Sequence, residues 1–117
     1  QTGAPYRVLN DGHWVFADTG LKNGDLFGLN SLHERCPGGA SAHELDKICA
    51  DSPADIVHLA KGTNPAATGA DLTIHTTPSG GSVFAAGSLC WTLSLPIDDG
   101  TSAITRNVLQ RFLEGTP

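Results

Sequence analysis

The sequence predicts an α/β or α+β layer in which short strands precede one C-terminal amphipathic helix. Two observations carry this reading. LTIHT at 72–76 and SVFAA at 82–86 flank a Pro-Ser-Gly-Gly turn, which is a hairpin pattern. Ile104, Val108, Leu109, Phe112 and Leu113 then recur at the spacing of a 3.6-residue period and gather on one helix face.

The elements follow in order. Tyr6, Val8, Trp14, Phe16 and Ala17 predict a short strand ending in a turn at Thr19-Gly20. Residues 20–39 are rich in Gly and Asn and read as an irregular excursion with at most a helical turn. Ala40 to Asp46 leaves a Gly-Gly turn as a short strand or strand end, and CADSPAD is a loop. IVHLA at 56–60 is an apolar run expected to be a buried strand, KGTNPAATGA is a loop, and the hairpin follows. In the terminal helix Thr101 or Ser102 can cap the start, Asp98 and Asp99 set negative charge at the positive end of the dipole, and Gly115 and Pro117 end it. Few strands and one firm helix leave two possibilities. The domain is either small and two-layered or the later half of a larger α/β domain, and a start at Gln1 favours the second.

Composition narrows the function. In 117 residues, 39% hydrophobic and 16% charged, a folded domain with one modest core is expected. A net charge of -5 without any Lys/Arg run argues against nucleic acid, and no apolar stretch approaches a membrane span. The expected location is cytoplasmic. No phosphate-cradling glycine motif occurs.

The chemistry-bearing stretch is CPGGASAHELDKIC, residues 36–49. His33, Cys36, His43 and Cys49 offer two imidazoles and two thiolates, a donor set that zinc accepts, at a spacing unlike a finger or ribbon. Cys36 and Cys49 can instead close a short disulfide loop, or remain unpaired; the three cysteines are an odd count and do not decide. Glu44 and Asp46, two apart on an extended segment, would share one face and could bind a hard metal or divide acid and base roles, with His43 pointing the other way. The alternative is a solvated edge bearing two unrelated acids. Cys90, in SLCW past a predicted strand, is a candidate nucleophile with His75 or His58 as base, or simply a small buried hydrophobe.

Several segments, taken in order, resemble a known family. GHWVFADTGLKNGDLFG, GASAHELDK, HLAKGT, TTPSGGSVFAAGSLCW and ITRNVLQRFL, spanning about Gly12 to Leu113, are similar to the C-terminal part of the large (β) subunit of the N,N-dimethylformamidase family. The resemblance implies that the chain is the second half of a class I glutamine amidotransferase-like (flavodoxin-like) α/β layer. It implies hydrolysis of a small amide, dimethylformamide in the characterised enzyme, at a mononuclear iron held by a tyrosine and two glutamates, with small subunits completing the assembly. By that resemblance Glu44 is a metal ligand, and Asp46 and His43 are the catalytic candidates beside it. His43 stands where relatives often carry Tyr. The tyrosine ligand and the other glutamate belong to segments upstream of Gln1, and that role is not carried onto Tyr6. The expected partners are a small amide substrate and the rest of the large subunit or a partner chain, in an oligomer. Two other readings are a non-catalytic binding or assembly module on the same fold and a small zinc-stabilised domain.

Overall fold

A computed structural model describes residues 2–32 and 36–115. Its five strands are β1 (Tyr6–Val8), β2 (Leu26–Phe27), β3 (Val57–Gly62), β4 (Asp71–Thr76) and β5 (Ser82–Ala85), followed by a single helical turn α1 (Trp91–Ser94) and the helix α2 (Asp99–Leu113). The strands form one sheet in the order β2-β1-β3-β4-β5, and every pairing is antiparallel. The fold is therefore mixed α/β with the terminal helix expected. The parallel pairs that characterise a flavodoxin-like layer are not found among the described strands.

The hairpin forms as its sequence dictates. β4 and β5 pair Thr73 with Ala85 through Thr76 with Ser82. The Thr77 N–H donates to the Gly81 carbonyl at 2.8 Å, closing the turn over Gly80, whose φ of +90° suits glycine. The IVHLA run becomes β3, one residue later at its start and extended through Gly62, with an irregularity in its pairing to β4 between His58 and Ala60.

Two expected strands form only in part: the first is limited to β1, Tyr6–Val8. Trp14–Phe16 is a 3-10 turn, capped by His13 Nδ1 accepting from the Val15 N–H at 3.2 Å. Its apolar residues fill the core without strand geometry: Val15 and Phe16 are buried, and Asn107 Nδ2 of α2 donates to the Val15 and Ala17 carbonyls, both at 2.9 Å. Ala40–Asp46 contributes only an isolated bridge, Ala4 with Ser41.

Tyr6 anchors the core. Its ring stacks on Phe27 at 5.4 Å, meets Trp91 edge-on at the same distance, and donates its hydroxyl to the Ala86 carbonyl at 2.6 Å. Burial pushes the Tyr6 phenol up, above its ordinary range. Tyr6 is thus a neutral core residue.

Helix α2 buries Ile104 and Val108 against this core, whereas Leu109, Phe112 and Leu113 of the same stripe stay exposed. The periodicity correctly located the helix but overstated the face it covers. Its cap is Asp98, not Thr101 or Ser102. Asp98 Oδ2 accepts from the Thr101 N–H at 2.9 Å and also from the Gly28 N–H at 2.9 Å, while Oδ1 accepts from the Leu29 N–H at 3.1 Å. One buried carboxylate therefore joins the helix start to the segment that follows β2. Asp98→Ala should lower stability by about 2–4 kcal/mol, the loss of a cap plus stranded buried N–H donors. Asp98→Asn, keeping one acceptor oxygen, should lose less; urea unfolding midpoints of the three proteins check this.

Candidate functional site

Residues 36–49 form a strap across one end of the sheet, and glycines admit it. Gly39 has a φ of +144°, and a Cβ there would lie 2.6 Å from the Ala4 carbonyl and 2.7 Å from that of Gly28. The strap is then pinned at Ser41, which is fully buried. Ser41 and Ala4 exchange backbone hydrogen bonds at 2.9 and 3.1 Å. The Ser41 hydroxyl donates to Asn64 Oδ1 at 2.6 Å and accepts from the Ala70 N–H at 3.0 Å, and Asn64 Nδ2 donates to the Ser41 carbonyl at 3.0 Å.

The next residue is held from the other side. The Ala42 N–H donates to Ser88 Oγ at 2.9 Å, and the Ser88 hydroxyl donates back to the Ala42 carbonyl at 2.6 Å. Further on, the Asp46 N–H donates to the Gly87 carbonyl at 2.8 Å and the Asp46 carbonyl accepts from the Asp71 N–H at 2.9 Å.

Between these anchors His43 and Glu44 are both left-handed, with φ of +57° and +48°. Non-glycine residues adopt this region at a cost, and two in succession persist because the flanking bonds over-determine them. The extended geometry that would set Glu44 and Asp46 on one face is therefore replaced by a left-handed turn. Glu44 and Asp46 are exposed, and His43 is half-buried. Asp46 lines a small cleft of about 190 Å³ with Ile48, Asp71, Thr73 and His75. A larger cleft, about 580 Å³ between the residues around β2 and the start of α2, includes no residue of the strap.

The cysteines resolve differently from either pairing expected. Cys36 is bridged to Cys90, 54 residues away, and not to Cys49. A loop of that length stabilises the fold by about 4 kcal/mol in the chain-entropy account. The bridge removes Cys90 as a nucleophile while it stands. It also splits the expected zinc set: Cys36 is spent in the disulfide, Cys49 is exposed and unbridged, and His33 lies outside the described residues. The Asp51 backbone and the Ser52 hydroxyl hold the Cys49 thiol below its ordinary range.

The structure does bring His43 to the bridge. Donor atoms of Cys36, His43 and Cys90 lie within 4.8 Å of one another, and this is the one set of three metal-capable side chains among the described residues. It holds two sulfurs and a nitrogen and does not include Glu44. The strap therefore carries two exposed carboxylates, Glu44 and Asp46, that are not gathered into an oxygen site.

One cluster escaped the sequence reading. Asp71, whose side chain is only 7% exposed, accepts from Lys61 Nζ at 3.0 Å and from the Ile48 N–H of the strap at 2.8 Å, and His58 Nε2 lies 2.8 Å from it without hydrogen-bond alignment. Burial acts to raise the Asp71 carboxyl, but the Ile48 N–H, Lys61 and His58 outweigh it and hold the carboxyl below its ordinary range. The signal was the cross-strand register, which sets Lys61 opposite Asp71.

A sequence profile of the family described as N,N-dimethylformamidase beta subunit-like, C-terminal, matches residues 1–105. No curated protein matches the chain.

The Asp71 contacts carry a pH dependence. A carboxyl lowered in the folded state contributes stability above its unfolded pKa of about 4, and that contribution is lost as pH falls through the folded value. Asp71→Asn should cost about 1–3 kcal/mol at pH 7 and progressively less as pH falls below about 4, so urea unfolding across that range should show the two proteins converging on the acid side.

Proposed function

The chain belongs to the N,N-dimethylformamidase beta subunit-like C-terminal family, and on that basis we propose that it is part of a metal-dependent amide hydrolase. The reaction would convert a small amide to amine and carboxylate. The observation that carries the reading is the presentation of Glu44, an exposed carboxylate on a strained left-handed turn that is pinned on both sides. Strain of this kind, held by surrounding structure, concentrates at functional sites.

Glu44 would serve as one ligand of a mononuclear iron, the remaining ligands coming from the rest of the large subunit or a partner chain. When bound, such an ion polarises the amide carbonyl and supplies a water nucleophile at neutral pH. The roles of this chain's own residues follow from their placement. The anchored turn fixes the backbone from which the Glu44 carboxylate projects, so no backbone ordering remains to be lost on binding. Asp46, two residues on and exposed at the mouth of its cleft, would orient a water or the amide N–H. His43, half-buried with its ring toward the sulfurs of Cys36 and Cys90, would act only through the shared turn, as a positioning residue for Glu44. With a single oxygen ligand, the chain would hold iron weakly by itself.

The surface supports completion by other polypeptide. Leu29, Leu32, Leu89, Leu109 and Leu113 are exposed and are apolar side chains that a partner surface would cover. The finer fold reading belongs to the same proposal: the antiparallel sheet would be the later part of a class I glutamine amidotransferase-like layer, its parallel portion lying outside this chain. A second reading, a non-catalytic assembly module, rests on that same apolar surface and on the incomplete oxygen site. Among the described residues, no helix is long and apolar enough to cross a membrane.

Glu44→Gln in the full protein should abolish bound iron and amide hydrolysis while changing the stability of this domain by less than about 0.5 kcal/mol, because the side chain is exposed. Metal analysis with native mass spectrometry reads the first and thermal unfolding the last. Iron and activity retained at wild-type level would remove Glu44 from the metal and favour the assembly reading.

A further inference from the structure

The imidazole beside the disulfide has no part in making it. Cys36 and Cys90 are buried, at 3% and 1% exposure, with Ala42 and Leu93 packed around them. A structural bridge in such surroundings needs only apolar neighbours, yet a ring nitrogen of His43 lies within 4.8 Å of both sulfurs. Cys36 and His43 belong to the strap and Cys90 to a segment far along the sequence, and the two are joined where Ser88 bonds both backbone groups of Ala42 and also accepts from the Cys90 N–H at 3.2 Å. That junction holds the strap and the Cys90 segment in register whether or not the sulfurs are bonded.

We propose that, with the bridge reduced, Cys36, Cys90 and His43 form a three-ligand site for a borderline-soft divalent cation of the zinc class, with a fourth position left for water. Two thiolates and one neutral imidazole are a donor set such ions prefer, and they are unlike the hard oxygen ligand offered by Glu44. The charges balance as well: two thiolates cancel a divalent ion, so a buried site gains no net charge. Tetrahedral coordination with metal–sulfur bonds of about 2.3 Å places the two sulfurs about 3.8 Å apart. With their Cα atoms 6.2 Å apart, side-chain rotation can open that separation without moving the backbone.

Disulfide and metal exclude each other, because both need the same two sulfurs. Opening the bridge takes two electrons from a dithiol reductant. One of its thiolates attacks a bridge sulfur to give a mixed disulfide, and its second displaces the remaining protein thiolate, leaving a cyclic disulfide and two protein thiols. Metal entry then forms two metal–sulfur bonds and releases the two thiol protons to solvent. The site does not depend on amide hydrolysis, and its readout is metal binding by this chain, so failure of either proposal leaves the other standing.

The test uses Co²⁺ as a spectroscopic probe, in a Cys49→Ala background that removes the exposed thiol. The protein is reduced with a dithiol in denaturant, freed of reductant, and refolded without oxygen. One equivalent of Co²⁺ should give thiolate-to-metal charge-transfer absorption and intense tetrahedral visible bands, both displaced by Zn²⁺, while the oxidised protein should give neither. His43→Ala should weaken binding by at least about tenfold and keep some charge-transfer absorption, and Cys36→Ser should abolish the one-to-one complex. Refolding of the reduced protein only when Zn²⁺ is present would also support the site. Reduced protein that gives no charge-transfer absorption, that fails to refold with or without Zn²⁺, or that binds no more Co²⁺ than oxidised protein would overturn it. Wild-type affinity in His43→Ala would overturn it equally. The comparison of reduced with oxidised protein needs no substitution at the site and stands even where a variant misfolds.

Discussion

The structure depends on Ser41 having every polar group satisfied in a place where water does not reach. A buried hydroxyl, N–H and carbonyl left unpaired would each cost about 1–3 kcal/mol. Ser41 avoids this by bonding at once to Ala4, to Asn64 and to Ala70, which stand at the chain's start and on either side of the β3–β4 connection. The price of that junction is space. Gly62 carries no side chain because a Cβ there would collide with the Ser41 hydroxyl and lie 2.8 Å from the Ala70 nitrogen. The strap is therefore a part of the core, although its residues at 37–38, 44, 46–47 and 49 face solvent.

Local conformation along the strap follows from that anchoring. Ser88 holds Ala42 on one side of the left-handed pair, and Asp46 bonds to Gly87 and Asp71 on the other. Asp71 closes the circuit by taking the Ile48 N–H while its charge is balanced by Lys61. Between such fixed ends the chain accommodates two unfavourable φ values because any relaxation would break several buried bonds. The Cys36–Cys90 bridge adds a covalent tie at the strap's entry. Asp98 does comparable work beside the strap: its carboxylate joins α2 to the segment after β2, and Gly28 of that segment takes the Ala40 N–H on its carbonyl.

What was legible in the sequence were features set by local pattern. The β4–β5 hairpin and α2 follow from alternation, turn chemistry and the 3.6 period, and the apolar run 56–60 became a strand because both its neighbours pair with it. What was not legible were features decided by tertiary partners. Trp14–Phe16 looks like a strand because its residues are apolar and β-prone, but Asn107 from α2 satisfies the Val15 carbonyl, so no neighbouring strand is needed. Ala40–Asp46 has no glycine after Gly39 to announce a left-handed turn, and only the bonds from Ser88 and Gly87 impose one. The cysteine pairing was hidden for a similar reason. Cys49 is nearer in sequence, whereas the sheet delivers Cys90 to Cys36. Asp71 falls between the KGTNPAATGA loop and the LTIHT strand in the sequence, and only the pairing of β3 with β4 brings Lys61 to it.

His43 and Glu44 share a peptide bond, and this constrains any chemistry proposed for either. A left-handed turn sends consecutive side chains in different directions, and here one approaches the sulfurs while the other meets solvent. Each side chain still turns about its own χ angles, but a change in the shared φ and ψ would redirect both at once. On the proposed readings, a soft site behind the strap and a hard ligand in front of it are mechanically one unit. Opening the bridge then reaches Glu44 through a single rigid turn, while the Ser41 and Asp71 junctions hold its surroundings still.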